Sequence, residues 1–265
     1  MFKINGVPVS IERFPDETPH LNIAVDSDEI TLEWLYEKDE EIFLFFIVKH
    51  LREQYKVKQF TLYMPYIPHA RMDRVKNKQE VFTLKYFCAF VNSLRFDKVI
   101  VRDAHSNVSP ALLNNVVSED ITPILNELAG TLLDPNQDIV FFPDEGSCKR
   151  YTESVSFPCL FGIKKRDWAT GKILGLDVHG AIPSHPFNVL IIDDISSYGG
   201  TFLHSARKLK ELGAGKVYLY ITHCENSILN GELINSGLIE KIYTTKSIYA
   251  GNHPLIEIIG GKGDE

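Results

Sequence analysis

The sequence predicts an α/β fold with mainly parallel sheets flanked by helices, and three observations support this. The chain has 265 residues, which suits one large or two medium-sized domains. Helix-type and strand-type hydrophobic patterns alternate along it, as they do where helices connect parallel strands. The segment VIVRDAHS at 99–106 also resembles VLIIDDIS at 189–196, because in both an apolar strand runs into an aspartate and a polar loop. This echo favours two similar halves, 1–120 and 121–265.

In the first half, apolar residues recur at helical spacing over 31–49, which predicts one or two helices there. Residues 59–68 have a strand pattern that ends at prolines. An amphipathic helix is predicted over 83–94 and a short strand over 98–103. These elements give the helix–strand alternation on which the fold class depends.

In the second half, the segment 121–130 predicts a helix that a glycine closes. Strands are predicted over 138–144 and 189–194, each ending in aspartate. The segment 201–215 predicts a helix with one apolar face and a Gly-Ala-Gly stop. A further strand follows at 216–224, so the alternation continues through this half.

Charge and composition exclude several classes of partner. The net charge of −7 argues against nucleic acid or an anionic membrane surface as the main partner. The longest apolar run, at 42–48, falls far short of the roughly 20 residues that span a bilayer. The four cysteines are scattered without metal-ligand spacing, which indicates reduced thiols rather than a zinc site. With no signal-peptide pattern, we expect a cytoplasmic protein.

Polar residues follow each predicted strand. In open α/β sheets, ligands bind beyond the carboxyl ends of the strands. The residues at these positions are carboxylates, cations and a histidine, namely Arg71, Asp73, Arg74, Asp103, His105, Asp144, Lys149 and Arg150. Carboxylates hold hard cations and arginines clamp phosphate oxygens, so this rim suits a polyphosphate with Mg²⁺.

The stretch LIIDDISSYGGTF ends a strand with two adjacent acids, Asp193 and Asp194. Paired hydroxyls, as on a ribose, can donate a hydrogen bond to each acid. The small residues at 196–201 can expose backbone N–H groups at the start of a helix, which makes an anion cradle. The pattern therefore suits a ribose that carries a phosphate. The alternative is a strand-end turn in which an aspartate caps the helix. No GxxxxGK[ST] motif is present.

With these blocks in order, the chain resembles the ribose-phosphate pyrophosphokinases, or PRPP synthetases, over most of its length. RFPDET, with Phe14 and Asp16, is similar to the adenine-contacting segment that a neighbouring subunit contributes in the family. ARMDR, with Arg71 and Asp73, resembles the family's ATP-binding motif, although Met72 replaces its glutamine. The resemblance thus implies an ATP site whose residues come partly from a second subunit.

Three further blocks match the family pattern. RDAHSN resembles the motif whose histidine, here His105, helps to hold Mg²⁺–ATP. PDEGSCKR places Asp144 at the family's metal site, and IKKRD places Lys164 and Arg166 at the start of its catalytic flexible loop. IIDDISSYGGT resembles the ribose-phosphate loop that the family shares with phosphoribosyltransferases. Its implied ligand residues are Asp193, Asp194, Ser196, Ser197, Tyr198, Gly199, Gly200 and Thr201.

The resemblance implies two phosphoribosyltransferase-like domains, with the ATP side in 1–120 and the sugar and catalytic loops in 121–265. It implies that an anomeric sugar hydroxyl attacks the β-phosphorus of ATP, so that a diphosphoryl group is transferred and AMP leaves. Mg²⁺ would accompany ATP, and a homo-oligomer built from dimers, such as a hexamer, is expected.

One departure concerns the sugar's 5-phosphate. In the family, an aspartate and a threonine usually stand where this chain has Ser197 and Tyr198. A tyrosine there would suit a larger 5′-substituent, and related phage enzymes act on ADP-ribose instead of ribose 5-phosphate in an NAD⁺ rebuilding pathway. The plain substrate stays open, as do a phosphoribosyltransferase and a non-catalytic regulatory homologue.

Overall fold

The computed structural model of this protein describes residues 1–166 and 173–260, with side chains described everywhere in these ranges except at 164–166 and 173–174. The described residues form two large sheets whose strands are mostly parallel and are connected by helices. The predicted α/β class is therefore confirmed. None of the helices in these ranges has the length and hydrophobicity of a membrane-spanning segment.

The first compact unit, Met1–Asp120, is organised around a six-stranded sheet. The strands of this unit are β1 (Phe2–Ile4), β2 (Val7–Pro8), β3 (Ile11–Arg13), β4 (Pro19–Leu21), β5 (Glu29–Trp34), β6 (Gln59–Tyr63), β7 (Lys98–Arg102) and β8 (Val116–Glu119), of which β3 and β4 lie outside the six-stranded sheet. Helices α1 (Glu41–Gln54), α2 (Thr83–Ser93) and α3 (Val108–Leu112) connect β5 to β8. The sheet order is β2-β1-β5-β6-β7-β8, with β5 to β8 mutually parallel, while β3 and β4 pair as a separate hairpin.

The helix predicted over 31–49 is wrong at its start. Its first residues belong to strand β5, and α1 begins only at Glu41. Within β5, Ile30, Leu32 and Trp34 are buried while the residues between them are more exposed. This two-residue period is the signature of a half-buried strand, and it competes with the helical spacing that the same apolar residues also satisfy. The strands predicted at 59–68 and 98–103 and the helix at 83–94 are present with shorter bounds.

The second unit, Ile121–Glu265, contains a seven-stranded sheet of order β11-β10-β9-β12-β13-β14-β15. Its strands are β9 (Ile139–Phe142), β10 (Cys159–Arg166), β11 (Ile173–His179), β12 (Phe187–Ser196), β13 (Ala214–Cys224), β14 (Lys241–Thr244) and β15 (Ile256–Ile258). The α-helices are α4 (Thr122–Leu132), α5 (Glu145–Tyr151) and α6 (Gly200–Glu211). Strands β10 and β11 are antiparallel, and the other pairs are parallel. Helix α4 passes through Gly130, so that glycine does not close it as predicted.

Parallel pairing places the loops that carry polar residues at one edge of each sheet. In the first unit, β6, β7 and β8 run side by side, so the loops after them leave the same edge. In the second unit, β9, β12 and β13 do the same. Both edges are carboxyl edges, where open α/β sheets bind their ligands.

Candidate active site

Three aspartates lie at the carboxyl ends of neighbouring strands in the second unit. Asp144 comes shortly after β9, and Asp193 and Asp194 lie near the end of β12, which pairs with β9. Asp194 is buried, with 4% of its surface exposed, and its Oδ1 accepts from Nη1 of Arg150 at 3.1 Å. The sheet thus brings together three of the acids that the sequence predicts to bind sugar or metal.

The environment of Asp193 disfavours its ionised form. Burial raises the pKa of this carboxyl well above its ordinary value of 3.8, and the carboxylates of Asp194 and Asp144 raise the pKa further. A ligand that brings positive charge or donates hydrogen bonds would relieve this repulsion. Ribose hydroxyls and a divalent cation both meet that requirement.

The two helices that begin at this edge have different amino termini. Asp144 is the N-cap of α5: its carboxylate accepts from the backbone N–H of Ser147 at 3.1 Å and completes a capping box. Helix α6 instead begins after Gly199, and no side chain caps it. The alternative in which Asp193 or Asp194 caps α6 is therefore wrong. The N–H groups in the first turn of α6 remain available for an anion.

Glycines set the backbone of the loop at 196–201. Gly199 has a φ of +81°, a left-handed conformation that L side chains rarely adopt. A Cβ at Gly199 would also lie 2.8 Å from the side chain of Leu233. Behind the loop, a Cβ at Gly231 would lie 1.9 Å from the carbonyl oxygen of Tyr198. The loop is therefore pressed against the segment that carries Gly231 and Leu233.

Polar contacts hold the same loop from one side. The backbone N–H of Glu225 donates to the carbonyl of Ser196 at 2.9 Å. The hydroxyls of Ser197 and Ser227 are 3.2 Å apart, and Ser227 in turn donates to Glu225 at 3.0 Å. The side chain of Tyr198, by contrast, is 61% exposed. A loop held on one side, with exposed residues on the other, suits a small anionic ligand.

In the first unit, Arg71 and Asp73 lie in the segment between β6 and α2, and His105 lies just after β7. Because β6 and β7 are parallel neighbours, both segments leave the same edge of the sheet. Asp73 is 3.8 Å from the guanidinium Nε of Arg74, and His105 is half-buried. The sheet topology thus brings the starts of the predicted ATP-binding segments next to each other.

Phe14 and Asp16 lie on the β3–β4 hairpin, which is separate from the main sheet. Phe14 is 51% exposed, and its ring centroid is 5.3 Å from that of His20. Hydrogen bonds from the hydroxyl and the backbone N–H of Thr18 lower the pKa of Asp16. The hairpin presents an aromatic ring and an ionised carboxylate to the surface, as a group offered to another molecule would.

The predicted catalytic pair lies at the limit of the described chain. The backbone of Lys164 and Arg166 belongs to β10, which pairs with β9 on one side and with β11 on the other. Their side chains, and the rest of the predicted loop at 167–172, lie outside the described residues. The roles of Lys164 and Arg166 therefore remain predictions from the sequence.

The carboxylates of the second unit suit a Mg²⁺ ion that is held partly by the protein and partly by substrate phosphates. Within the described ranges, no group of three or more His, Cys, Asp or Glu side chains converges to hold a metal ion. Mg²⁺ in kinase-type sites is usually held by one or two carboxylates together with substrate phosphates and water. The hard oxygen donors of Asp144 and Asp193, and the repulsion that raises the pKa of Asp193, suit such an ion.

Some residues at these edges were missed by the sequence reasoning. Tyr63, Arg102 and Glu119 are hydrogen-bonded to one another at the ends of three strands. Arg102 follows three apolar residues of the strand KVIVR and begins the block RDAHSN, but nothing in the sequence indicated that it pairs with Glu119. Ser227 and Gly231, which support the loop at 196–201, likewise carried no signal, because their role depends on a contact with a distant part of the chain.

Comparisons with known proteins agree with this architecture. No family model matches the chain. It is 26% identical over 236 residues to the ribose-phosphate pyrophosphokinase of Thermococcus kodakarensis, covering 81% of this chain and 77% of that one. It is 27% identical over 262 residues to the enzyme of the same name from Sulfurisphaera tokodaii, covering 93% and 87%. The fold matches that of phosphoribosylpyrophosphate synthetase from Mycobacterium smegmatis with a TM-score of 0.77 and 17% identity, covering 95% and 85%.

Proposed function

We propose that the chain, which is 26% and 27% identical to two ribose-phosphate pyrophosphokinases over most of its length, transfers the β,γ-diphosphoryl group of ATP to the anomeric hydroxyl of ribose 5-phosphate, giving PRPP and AMP. The observation that carries this proposal is the acidic pair Asp193 and Asp194 beside the uncapped start of α6. One feature suits sugar hydroxyls and the other suits a phosphate, and a short loop connects the strand that carries the first to the helix that carries the second.

In this proposal, the second unit binds the sugar. Asp193 and Asp194 accept hydrogen bonds from the ribose hydroxyls, which bring donors to carboxylates that otherwise repel each other. The backbone N–H groups of 197–201 bind the 5-phosphate at the start of α6, and the hydroxyls of Ser196, Ser197 and Thr201 line the same loop. Gly199 and Gly200 allow the phosphate to approach the backbone closely.

The first unit binds the nucleotide. Arg71 would bind phosphate oxygens, and Asp73 and His105 would position ATP and its metal ion. Asp144, and Asp193 once it is ionised, would supply the carboxylate oxygens for Mg²⁺. When bound, Mg²⁺ would neutralise charge on the phosphates of ATP.

Lys164 and Arg166 are proposed as the catalytic residues. Phosphoryl-type transfer depends on positioning and on neutralising charge more than on covalent chemistry. Two cations near the bond that breaks would stabilise charge as it moves onto AMP and onto the transferred group. We further propose a homo-oligomer built from dimers, in which the exposed Phe14 and Asp16 reach the ATP site of a neighbouring subunit.

A second candidate is the same transfer to ADP-ribose, which carries a larger group on its 5′-phosphate. The observation that favours it is Tyr198, which is 61% exposed on the loop proposed to bind that phosphate. An aromatic ring at this position could stack on the additional nucleoside. Ribose 5-phosphate remains the first proposal, since this loop binds phosphate mainly through its backbone.

The test offers ribose 5-phosphate and ADP-ribose separately with Mg²⁺ and ATP, measures AMP release, and identifies the products by mass. AMP with a diphosphorylated sugar identifies the acceptor. AMP that appears only with ADP-ribose would replace the first proposal with the second. If no acceptor yields AMP, pyrophosphokinase activity is ruled out; consumption of PRPP with a base would then indicate a phosphoribosyltransferase, and no turnover a regulatory homologue.

A further inference from the structure

We propose that Tyr63, Arg102 and Glu119 form a strand-end triad that positions the nucleotide-binding segments of the first unit. The proposal rests on the function proposed above, and it assigns these residues a positioning role rather than contact with the reacting atoms. Tyr63 and Glu119 lie outside the motifs that the sequence singled out for ATP, sugar or metal, and Arg102 is the first residue of RDAHSN, in which His105 is the expected ligand.

The triad joins the ends of three neighbouring strands. Tyr63, Arg102 and Glu119 are the last residues of β6, β7 and β8. The guanidinium of Arg102 donates from Nε to Glu119 Oε2 at 2.7 Å and from Nη2 to Oε1 at 3.3 Å. Nη2 also donates to the hydroxyl of Tyr63 at 2.8 Å, and that hydroxyl donates to Glu119 at 3.4 Å. These bonds close a triangle across the three strands.

The burial of Arg102 removes a charged group from water, which costs hydration free energy. Arg102 is 1% exposed, in a strand whose other inward residues are apolar. Arg102 loses most of its hydration, while the side chain of its partner Glu119 is 33% exposed. Replacing both partners of a buried ion pair by apolar residues of similar size is often neutral or stabilising. The triad is therefore poorly explained as a source of stability. A planar guanidinium that makes several bonds does, however, fix the relative positions of its partners.

The fixed strand ends are the starting points of the predicted ATP-binding segments. The segment 64–74, with Arg71 and Asp73, begins directly after Tyr63, and the segment 103–107, with His105, begins directly after Arg102. Backbone bonds continue the connection, because the N–H of Arg102 donates to the carbonyl of Pro65 at 3.1 Å. A small displacement of the strand ends would therefore move both segments at once.

The backbone next to the triad is also unusual. Asp103 has a φ of +41° although it is not glycine, and it is buried. Such a conformation persists only where the surroundings hold it in place. Arg102 lies one residue before this turn, so the bonds that fix Arg102 also fix the point from which the chain leaves toward His105.

The test removes the charges of the triad in pairs. In the double variant Arg102→Met/Glu119→Leu, neither charge is left buried alone. We expect thermal stability to be unchanged or higher, KM for ATP to rise roughly 10- to 100-fold, and KM for the sugar acceptor to change less than about twofold. Backbone amide hydrogen exchange should accelerate in 64–74 and 103–107. Arg102→Lys, which keeps the charge but loses the forked geometry, should lie between the wild type and the double variant.

The matched control is Lys3→Met/Glu33→Leu, which removes a partly buried pair of 3.3 Å between β1 and β5 of the same sheet. It should leave both KM values and the exchange of the two segments unchanged. If the double variant does not fold, Tyr63→Phe removes one corner of the triad with little change in volume and should raise KM for ATP alone. Unchanged KM and exchange in a folded variant would overturn the positioning role. If the wild type releases no AMP, the proposed function fails, and hydrogen exchange alone then decides the role of the triad.

Discussion

The carboxyl edges of the two sheets differ in how the charges of their side chains are balanced. In the first unit, the buried Arg102 is paired with Glu119 across neighbouring strands, so charge at the strand ends is neutralised within the protein. In the second unit, Asp144, Asp193 and Asp194 are close enough to raise the pKa of one of them. The difference indicates that the charge of Arg102 is balanced within the protein, whereas the repulsion around Asp193 would be relieved by a ligand that brings cations or hydrogen-bond donors.

Helices α5 and α6, which both begin at the carboxyl edge of the second sheet, differ in the same way at their amino termini. Helix α5 carries its own anion, the carboxylate of Asp144, at its amino terminus. Helix α6 begins with glycines and has no capping side chain. The backbone N–H groups at the start of a helix without a capping side chain are available to bind a phosphate. The position of the uncapped helix, directly after the acidic pair, locates the proposed sugar site.

The largest effect is expected for Lys164→Ala, which tests whether the catalytic step depends on residues of the second unit. Lys164→Ala should lower kcat by about 10²–10³-fold with little effect on folding, because it removes charge stabilisation in the transition state. Arg71→Ala in the first unit should instead act mainly through KM for ATP. Steady-state kinetics of both variants, with Lys165→Ala as the neighbouring control, make the comparison. An unchanged rate for Lys164→Ala would remove this residue from the mechanism.

The second-largest effect is expected at Gly231, which packs behind the loop at 196–201. Gly231→Ala places a methyl group where the carbonyl of Tyr198 lies, so we expect the loop to shift and KM for the sugar to rise about tenfold or more. The control is Gly130→Ala in α4, where an added Cβ meets nothing within 4 Å. That control should keep full activity and gain about 0.5–1 kcal/mol of stability. A wild-type KM in Gly231→Ala would show that the loop tolerates the shift.

A third test separates the two adjacent acids. Asp193→Asn removes a carboxylate that the apo protein disfavours, so its free energy of unfolding should rise at neutral pH. Asp194→Asn breaks the buried pair with Arg150 and should lose about 1–3 kcal/mol. Both should weaken sugar binding more than ATP binding. Chemical denaturation and sugar titration of each variant provide the measurements, and loss of ATP affinity alone would contradict the sugar assignment.

The pH dependence of Asp193 has a definite sign. Because the folded-state pKa is raised, the folded protein retains a proton that the unfolded chain loses near its ordinary pKa of 3.8. This residue therefore makes the protein less stable as pH rises from about that value through the raised pKa. Asp193→Asn cannot titrate, so its unfolding free energy should fall less over the same range. Parallel curves for the two proteins would show that Asp193 ionises normally.

The smallest effect concerns the acceptor. If Tyr198 contacts a larger 5′-group, Tyr198→Thr should shift the ratio of kcat/KM toward ribose 5-phosphate by roughly three- to tenfold. The exposed side chain makes a folding defect unexpected. Competition between ribose 5-phosphate and ADP-ribose measures the ratio directly. Equal preference before and after the substitution would assign no selectivity to this residue.

The sequence by itself determined the α/β class and the positions of the acids at strand ends. Both are local properties: an apolar run of strand length predicts a buried strand, and the polar residues that follow it must lie at the sheet edge. It assigned Asp144 to a metal and Asp193 and Asp194 to the sugar, but it did not distinguish a helix cap, a carboxyl with a raised pKa and a partner of Arg150.

Only the tertiary structure decided those differences, and it also decided that residues 31–34 form a strand instead of a helix. The bond between Arg102 and Glu119 requires β7 and β8 to pair in one register. The close approach of Gly231 to Tyr198 requires a distant segment to pack behind the loop. The physical reason is common to all of these cases. Desolvation, charge repulsion and steric contact depend on distances between residues far apart in the chain, and strand order and register set those distances.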